Sequence, residues 1–262
     1  MPVITLITDW GRRDHYLAAF KGTLFSVLPQ AQVFDITHEV EPFDTLQASY
    51  VLQNCFDKFP AGTIHFIGLT GGKAKIQSQG YLLVKASNHF FIGYDNGIFY
   101  LTLGDAEKEI FLLDIPGRRP VPEAFRELIN VMSELVNGKA YDTFGKPIQE
   151  LVKIFHTQPT VTQSNIRGTV IYIDSFENVI LNITKDLFES VGKGRTFTLY
   201  MRNEDHRFNR IHSHYDEADE SELVVLFNER GNMEIALNRA NAAGLLGMKL
   251  FDTLRIEFHD AR

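Results

Sequence analysis

The sequence lacks the features that would tie it to a membrane, to nucleic acid or to a disulfide-forming compartment. One cysteine, Cys55, occurs in 262 residues, so no intrachain disulfide can form. It falls on an expected helix face with Leu52, Phe56 and Phe59, where a lone thiol behaves as a small core residue. No apolar run reaches the ~18 residues of a membrane span. The N-terminus enters an apolar strand directly, without the basic segment and apolar stretch of a secretory signal. Lys and Arg number 26 against 33 acids, a formal net charge of -7, and no basic cluster is dense enough to track phosphates. The expectation is a cytoplasmic globular protein with no nucleic acid and no membrane as partner.

What is present is a 44% hydrophobic content, ample for a core, in a length that suits one large domain or two ordinary ones. The opening residues are the most informative. Val3 to Ile7 is an apolar run that reads as a buried strand ending near a carboxylate, Asp9. Gly11 marks a turn, and Asp14 is placed to cap a helix carrying Leu17, Phe20, Leu24 and Leu28 at helical spacing. An Asp topping a strand before a turn and a helix stands where open α/β sheets bind ligands. There it either serves the turn or accepts two hydrogen bonds from a vicinal diol such as a ribose.

Strand and helix patterns then alternate. Gln32 to Thr37 reads as a strand, Asp44 as the cap of a helix through Phe59, and Thr63 to Leu69 as a strand buried on both faces. Gly80 to Ala86 and His89 to Tyr94 form an expected hairpin around Ser87-Asn88. Asp95-Asn96-Gly97 is a strong turn leading into Ile98 to Leu103, read with these strands. A helix carrying Phe125 to Val136 follows. The polar stretch 157 to 166 is the candidate linker. Beyond it come short β-like segments, 168 to 173, 178 to 183, 195 to 201, 222 to 227, 233 to 237 and 253 to 258, with one helical turn at 241 to 246. The expected fold class is α/β: an N-terminal α/β domain (1–158) with a mainly parallel sheet, then a C-terminal all-β, barrel-like domain (166–262).

Four separated blocks occur in order: Thr8-Asp9-Trp10-Gly11 with Asp14-His15-Tyr16; Phe34-Asp35-Ile36-Thr37-His38-Glu39-Val40 with Pro42-Phe43-Asp44; Ile173-Asp174-Ser175-Phe176-Glu177-Asn178-Val179; and Gly231-Asn232-Met233-Glu234-Ile235-Ala236 with Asn241-Ala242-Ala243. In these blocks the chain resembles the S-adenosyl-L-methionine (SAM) hydroxide adenosyltransferases, a family that also contains the SAM-dependent fluorinase and chlorinase. The resemblance implies homotrimers that bind SAM between the N-terminal domain of one subunit and the C-terminal domain of the next, with no separate cofactor and no metal. It implies that Asp9 holds the ribose hydroxyls, that Asp14 and Tyr16 add polar contacts, and that Phe43 packs on the ligand. By the same resemblance Asp174 pairs with the methionine ammonium, Asn178 reads the adenine edge, and Arg230 lies near the methionine carboxylate. A turn-forming role for Asp174 and Asn178 is the alternative.

The chain departs from the hydrolase branch where the attacking water is handled. Thr70 stands at the position of the family's Asp and Gln77 at that of its Arg. No histidine occurs between His89 and His156 to supply the third member. Lys73 falls where the halogenases carry a small hydroxyl residue. The implied activity is adenosine-forming SAM hydrolysis, slowed or altered by these replacements. The alternatives are a non-catalytic adenosyl- or nucleoside-binding protein, and an anion- or phosphate-ligand enzyme using the Thr70 to Lys75 loop as a backbone nest. His206, His212 and His214 beside Asp205 and Asp216 raise the possibility of zinc, against a solvated loop without a clear fourth ligand.

Overall fold

Apolar runs set the strands, and their alternation decides which layer each side chain enters. The computed structural model describes residues 1–69, 80–115, 124–155, 157–201 and 207–260, which divide into two units, Met1–Phe155 and His156–Arg262. In the first unit Ile4 and Leu6 point to one face of β1 (Val3–Thr8) and Ile7 to the other, and all three are fully buried. The same division runs through β3 (Ile64–Gly68), where Phe66 joins the first layer and Ile67 the second. With β2 (Gln32–Thr37), β4 (Tyr81–Ala86), β5 (His89–Tyr94), β6 (Lys108–Leu113) and β7 (Gly145–Ile148) they form a seven-stranded sheet of order β2-β1-β3-β5-β4-β6-β7. β2, β1, β3 and β5 are parallel in succession. β6 shares their direction, because it is antiparallel to β4, which is antiparallel to β5. The sheet is therefore mostly parallel, with β7 an antiparallel edge carrying Pro147, as an edge tolerates.

One face is covered by α1 (Tyr16–Val27) and α4 (Phe125–Val136), through Phe20, Leu24, Leu128, Ile129 and Met132. The other is covered by α2 (Thr45–Gln53) and α3 (Ile98–Leu103), through Ala48, Leu52, Ile98 and Phe99. Two expectations are corrected here. Asp14 does not cap α1: the helix begins after His15, which makes no side-chain cap bond, and Asp14 is exposed one residue earlier. Ile98 to Leu103 is a helix rather than a strand. Gly97 sits in the left-handed region at φ 94°, and the Asn96 side chain accepts from the Ile98 N–H at 3.2 Å. The Asp44 cap stands as read, its carboxylate accepting from the Gln47 N–H at 3.0 Å. Asp95, fully buried after β5, accepts from the Val152 N–H at 3.1 Å and holds the end of the unit against the sheet.

The second unit is an antiparallel sheet built from β8 (Thr160–Val161), β9 (Asn165–Ile173), β10 (Val179–Thr184), β11 (Thr196–Tyr200), β12 (Arg207–Phe208), β13 (Leu223–Phe227), β14 (Asn232–Leu237) and β15 (Thr253–His259). The main order is β12-β11-β15-β9-β10-β14-β13, with β8 against β9. Part of the stretch read as linker is thus already paired, Thr160 opposite Arg167. The sheet curls around Ile166, Val170, Leu181, Leu199, Ile235 and Ile256, all fully buried. Beyond β12 the chain returns to the far edge: the His212 N–H donates to the Val225 carbonyl at 2.7 Å, and the Val225 N–H donates to His212 Nδ1 at 3.2 Å. Sequence reading missed α5 (Lys185–Gly192), whose Thr184 cap accepts from the Leu187 N–H at 3.2 Å. The turn at 241–246 is α6 (Ala242–Leu246), capped by Asn241. Among the described residues no helix is long and apolar enough to cross a membrane.

Candidate functional site

The first two sequence blocks meet at the carboxyl end of β1. Asp9 is almost fully buried, and its Oδ2 accepts from the Phe43 N–H at 3.0 Å. Thr8 Oγ1 and His38 Nδ1 are 2.9 Å apart, and the Gly11 N–H donates to the His38 carbonyl at 2.8 Å. These three bonds staple segment 8–11 to segment 38–43. They fix the Asp9 carboxylate on the sheet edge where parallel strands end. Behind it His38 Nε2 lies 3.2 Å from Asp35 Oδ1, a polar contact short of good hydrogen-bond alignment, and Asp35 is held by Lys21 at 3.0 Å. Burial pushes the His38 pKa down against the pull of the Asp35 carboxylate. Burial alone would raise Asp35, but Lys21 and His38 outweigh it and hold Asp35 low.

Phe43 takes a left-handed backbone (φ 67°) and leaves its ring 47% exposed beside Asp9. Asp14 and Tyr16 lie at the surface where α1 begins, the Tyr16 ring 4.4 Å from that of His15. At this end of β1 the unit holds the buried Asp9 carboxylate, with Phe43 and Tyr16 exposed on the segments that follow β2 and begin α1. Thr70, Lys73, Gln77 and the whole Thr70 to Lys75 loop lie outside the described residues.

In the second unit the third and fourth blocks converge on a pocket of about 660 Å³, lined by Asp174, Phe176, Asn178, Tyr215, Arg239 and Asn241 among others. The β9–β10 turn supplies the first three. Asp174 Oδ1 accepts from the Phe176 N–H at 2.9 Å and the Asn178 N–H at 2.8 Å, and its Oδ2 accepts from Asn178 Nδ2 at 3.0 Å. Glu177 completes the turn in the left-handed region at φ 64°. The turn role read as an alternative is thus present, and it leaves both side chains on the pocket wall. A carboxylate keeps acceptor capacity after three such bonds.

Sequence reading missed two groups here, Tyr215 on the wall and Glu234 behind it. Glu234, 5% exposed on β14, accepts a hydrogen bond from the Tyr215 hydroxyl. Burial raises the Glu234 pKa, the Tyr215 bond opposes that rise, and the Asp174 charge adds to it. Tyr215 is raised well above the usual phenol range, by burial first and then by Glu234. Tyr215 is carried by a turn that Glu217 ties down, accepting from the Ser213 and His214 N–H groups at 2.8 and 3.2 Å. The available signal was a lone acid inside the apolar strand Met233 to Leu237. Its face of β14 also carries Ala236, which packs with Val224 and Leu226 beneath Ala218.

Arg230 is not brought to this pocket. It is exposed on the β13–β14 turn, next to the Thr184 end of β10, whereas Asp174 and Asn178 sit at the Val179 end. The guanidinium on the pocket wall is that of Arg239. The zinc reading also changes. His212 is buried and engaged with Val225 on both main-chain groups, and His206 and Asp205 lie outside the described residues. Among the described residues no three His, Cys, Asp or Glu side chains are grouped to hold a metal.

Residues 4–143 match the SAM hydroxide adenosyltransferase N-terminal domain, and residues 168–255 match the C-terminal domain of the same family. The chain is 27% identical over 270 residues to an (R)-S-adenosyl-L-methionine hydrolase of Methanocaldococcus jannaschii, covering 98% of this chain and 96% of the relative. It is 28% identical to the enzyme of that name from Salinispora arenicola over 266 residues, covering 97% of each chain. A fluorinase of Actinopolyspora mzabensis is 24% identical over 290 residues, again with 97% of each chain covered. An uncharacterized conserved protein from Thermotoga maritima has the same fold, at a TM-score of 0.80 and 26% identity over 97% of this chain and 99% of that one. With both domains matched in order over most of its length, the chain belongs to the SAM hydroxide adenosyltransferase family.

Proposed function

We propose that this protein binds SAM and hydrolyses it to adenosine and methionine. The observation that carries the reading is the pocket of about 660 Å³ in a SAM hydroxide adenosyltransferase C-terminal domain, with Asp174 and Asn178 on its wall. In this reading Asp174 attracts the ammonium, Asn178 reads the adenine edge, Asp9 takes the ribose hydroxyls with Phe43 packed alongside, and Asp14 and Tyr16 add polar contacts. Arg230 is left out, because its turn lies at the other end of β10. A homotrimer with sites between subunits is part of the proposal. The exposed Phe176, Leu245, Leu250 and Phe251 supply large apolar side chains for a subunit contact to cover. So is a cytoplasmic location, in keeping with the single thiol.

Attack of water at the 5′ carbon displaces neutral methionine from a sulfonium, so the leaving group needs no acid. The site must align water with the C–S bond and accept a proton. Alignment contributes up to about 7–11 kcal/mol in ideal cases, and a general base roughly 10²–10⁴-fold. With Thr70 and Gln77 in place of the Asp and Arg, turnover is slow rather than absent. Purified protein incubated with SAM should release adenosine above a buffer control, measured by chromatography, and Asp174→Ala should abolish the release. A second reading, binding without turnover, is favoured by the same replacements. Calorimetric binding of SAM with no adenosine after prolonged incubation would establish it.

A further inference from the structure

Hydrogen-bond capacity on the pocket wall is decided by groups behind it. A phenol carries one proton. Tyr215 donates that proton to Glu234, which is 5% exposed. The Tyr215 oxygen therefore meets the pocket as an acceptor. Asn178 differs, because its amide nitrogen carries two protons. Asp174 Oδ2 accepts one of them from Nδ2 at 3.0 Å, which turns the amide carbonyl the other way and leaves the second N–H as a donor. Asp174 itself contributes only acceptors. The donors on this pocket include the remaining Asn178 N–H, Arg239 and the Asn241 amide.

We propose that Glu234 is a specificity-determining residue: by holding the Tyr215 proton it leaves the Tyr215 oxygen, on the wall shared with Asp174, as an acceptor that selects ligands presenting an amino group there. This rests on the adenosyl reading above and adds Tyr215 and Glu234 to its account of amine recognition. A wall with a free phenol proton would bind a carbonyl or a ring nitrogen about as well as an amine. With the proton committed, a carbonyl oxygen meets lone pairs and loses the water it bonded before. In an adenosyl ligand the amino group has two sources, the exocyclic amine of the purine and the ammonium of the amino-acid arm.

The test uses the full-length protein and three probes that are not turned over: S-adenosylhomocysteine, 5′-methylthioadenosine, which lacks the amino-acid arm, and 5′-methylthioinosine, which also replaces the purine amine by a carbonyl. Affinities are measured by calorimetry for wild type, Tyr215→Phe, Glu234→Gln and the double variant Tyr215→Phe/Glu234→Gln. The double variant removes the buried carboxylate that Tyr215→Phe alone leaves unpaired. The expected result is loss of one wild-type preference by about 5- to 10-fold in Tyr215→Phe and in the double variant, with a smaller loss in Glu234→Gln. Loss of the 5′-methylthioadenosine preference over 5′-methylthioinosine assigns the purine amine; loss of the S-adenosylhomocysteine preference over 5′-methylthioadenosine assigns the ammonium. Folded variants that keep both preferences, or that weaken all three probes equally, overturn the proposal while leaving the adenosyl reading in place. Wild type that binds none of the three overturns both.

Discussion

Replacing Asp95 with asparagine removes a charge that the fold keeps out of water. The carboxylate is fully buried after β5 and pushed up to about 6 by that burial, even though the Val152 and Gly97 N–H groups pull it down. In the unfolded chain its pKa returns to the usual 3.8. Between these values the folded protein binds a proton that the unfolded chain has released. Stability therefore falls as pH rises from about 4 to about 6 and stays lower above that window. A tenfold change in proton affinity is about 1.4 kcal/mol, so the full effect is roughly 3 kcal/mol. Asparagine has no charge to desolvate, but its single carbonyl replaces two accepting oxygens, at a cost of about 1 kcal/mol. Asp95→Asn should thus be about 2 kcal/mol more stable at pH 8, roughly 4–8 °C in Tm for a chain of this size. The advantage should vanish near pH 4. Differential scanning fluorimetry from pH 4 to 8 measures it. A variant melting at or below wild type at pH 8, or a gap that does not change with pH, refutes the argument.

His65 carries the opposite sign. Burial, helped by His89, pushes it down to about 3, and it bridges Thr5 Oγ1 at 2.7 Å and His89 Nδ1 at 3.1 Å as a neutral ring. Its contribution is complete above about 6.5 and is lost as pH falls, so His65→Gln should flatten the acid side of the wild-type stability curve followed by circular dichroism. At Gly68 a Cβ would stand 2.6 Å from the Trp10 ring and 2.9 Å from both Phe66 and Thr8 side chains. Gly68→Ala should destabilise the N-terminal unit by about 1–3 kcal/mol in urea unfolding, and a change under about 0.5 kcal/mol would show that Trp10 yields freely.

The features legible in the sequence are those that depend on near neighbours. β1 and β3 announce themselves because both faces are buried and the runs are mostly apolar. Asp9 lies where a strand ends, and its position marks it; Asp174 and Asn178 are marked by the family resemblance, their spacing alone offering a turn. Ile98 to Leu103 is ambiguous because a short, mostly apolar run suits a buried strand or a buried helix equally; the deciding features are the left-handed Gly97 and the Asn96 side chain at its start. Asp14 looked like a cap because it precedes an amphipathic run, but the chain needs one more residue before its dihedrals become helical. Tyr215, Glu234 and Arg239 could not be assembled from spacing. They come from a turn, a strand face and a loop that meet only when segment 213–218 folds over β13 and β14.

The imidazole at position 212 gives the curled sheet a seam. β13 is an edge strand, and an edge strand invites a second molecule to add a strand of its own. At Val225 both outward main-chain groups are already engaged by His212, one through its backbone and one through its ring. A passing chain finds nothing there to pair with. One histidine thus stands guard against the strand-to-strand aggregation that open β structures are prone to.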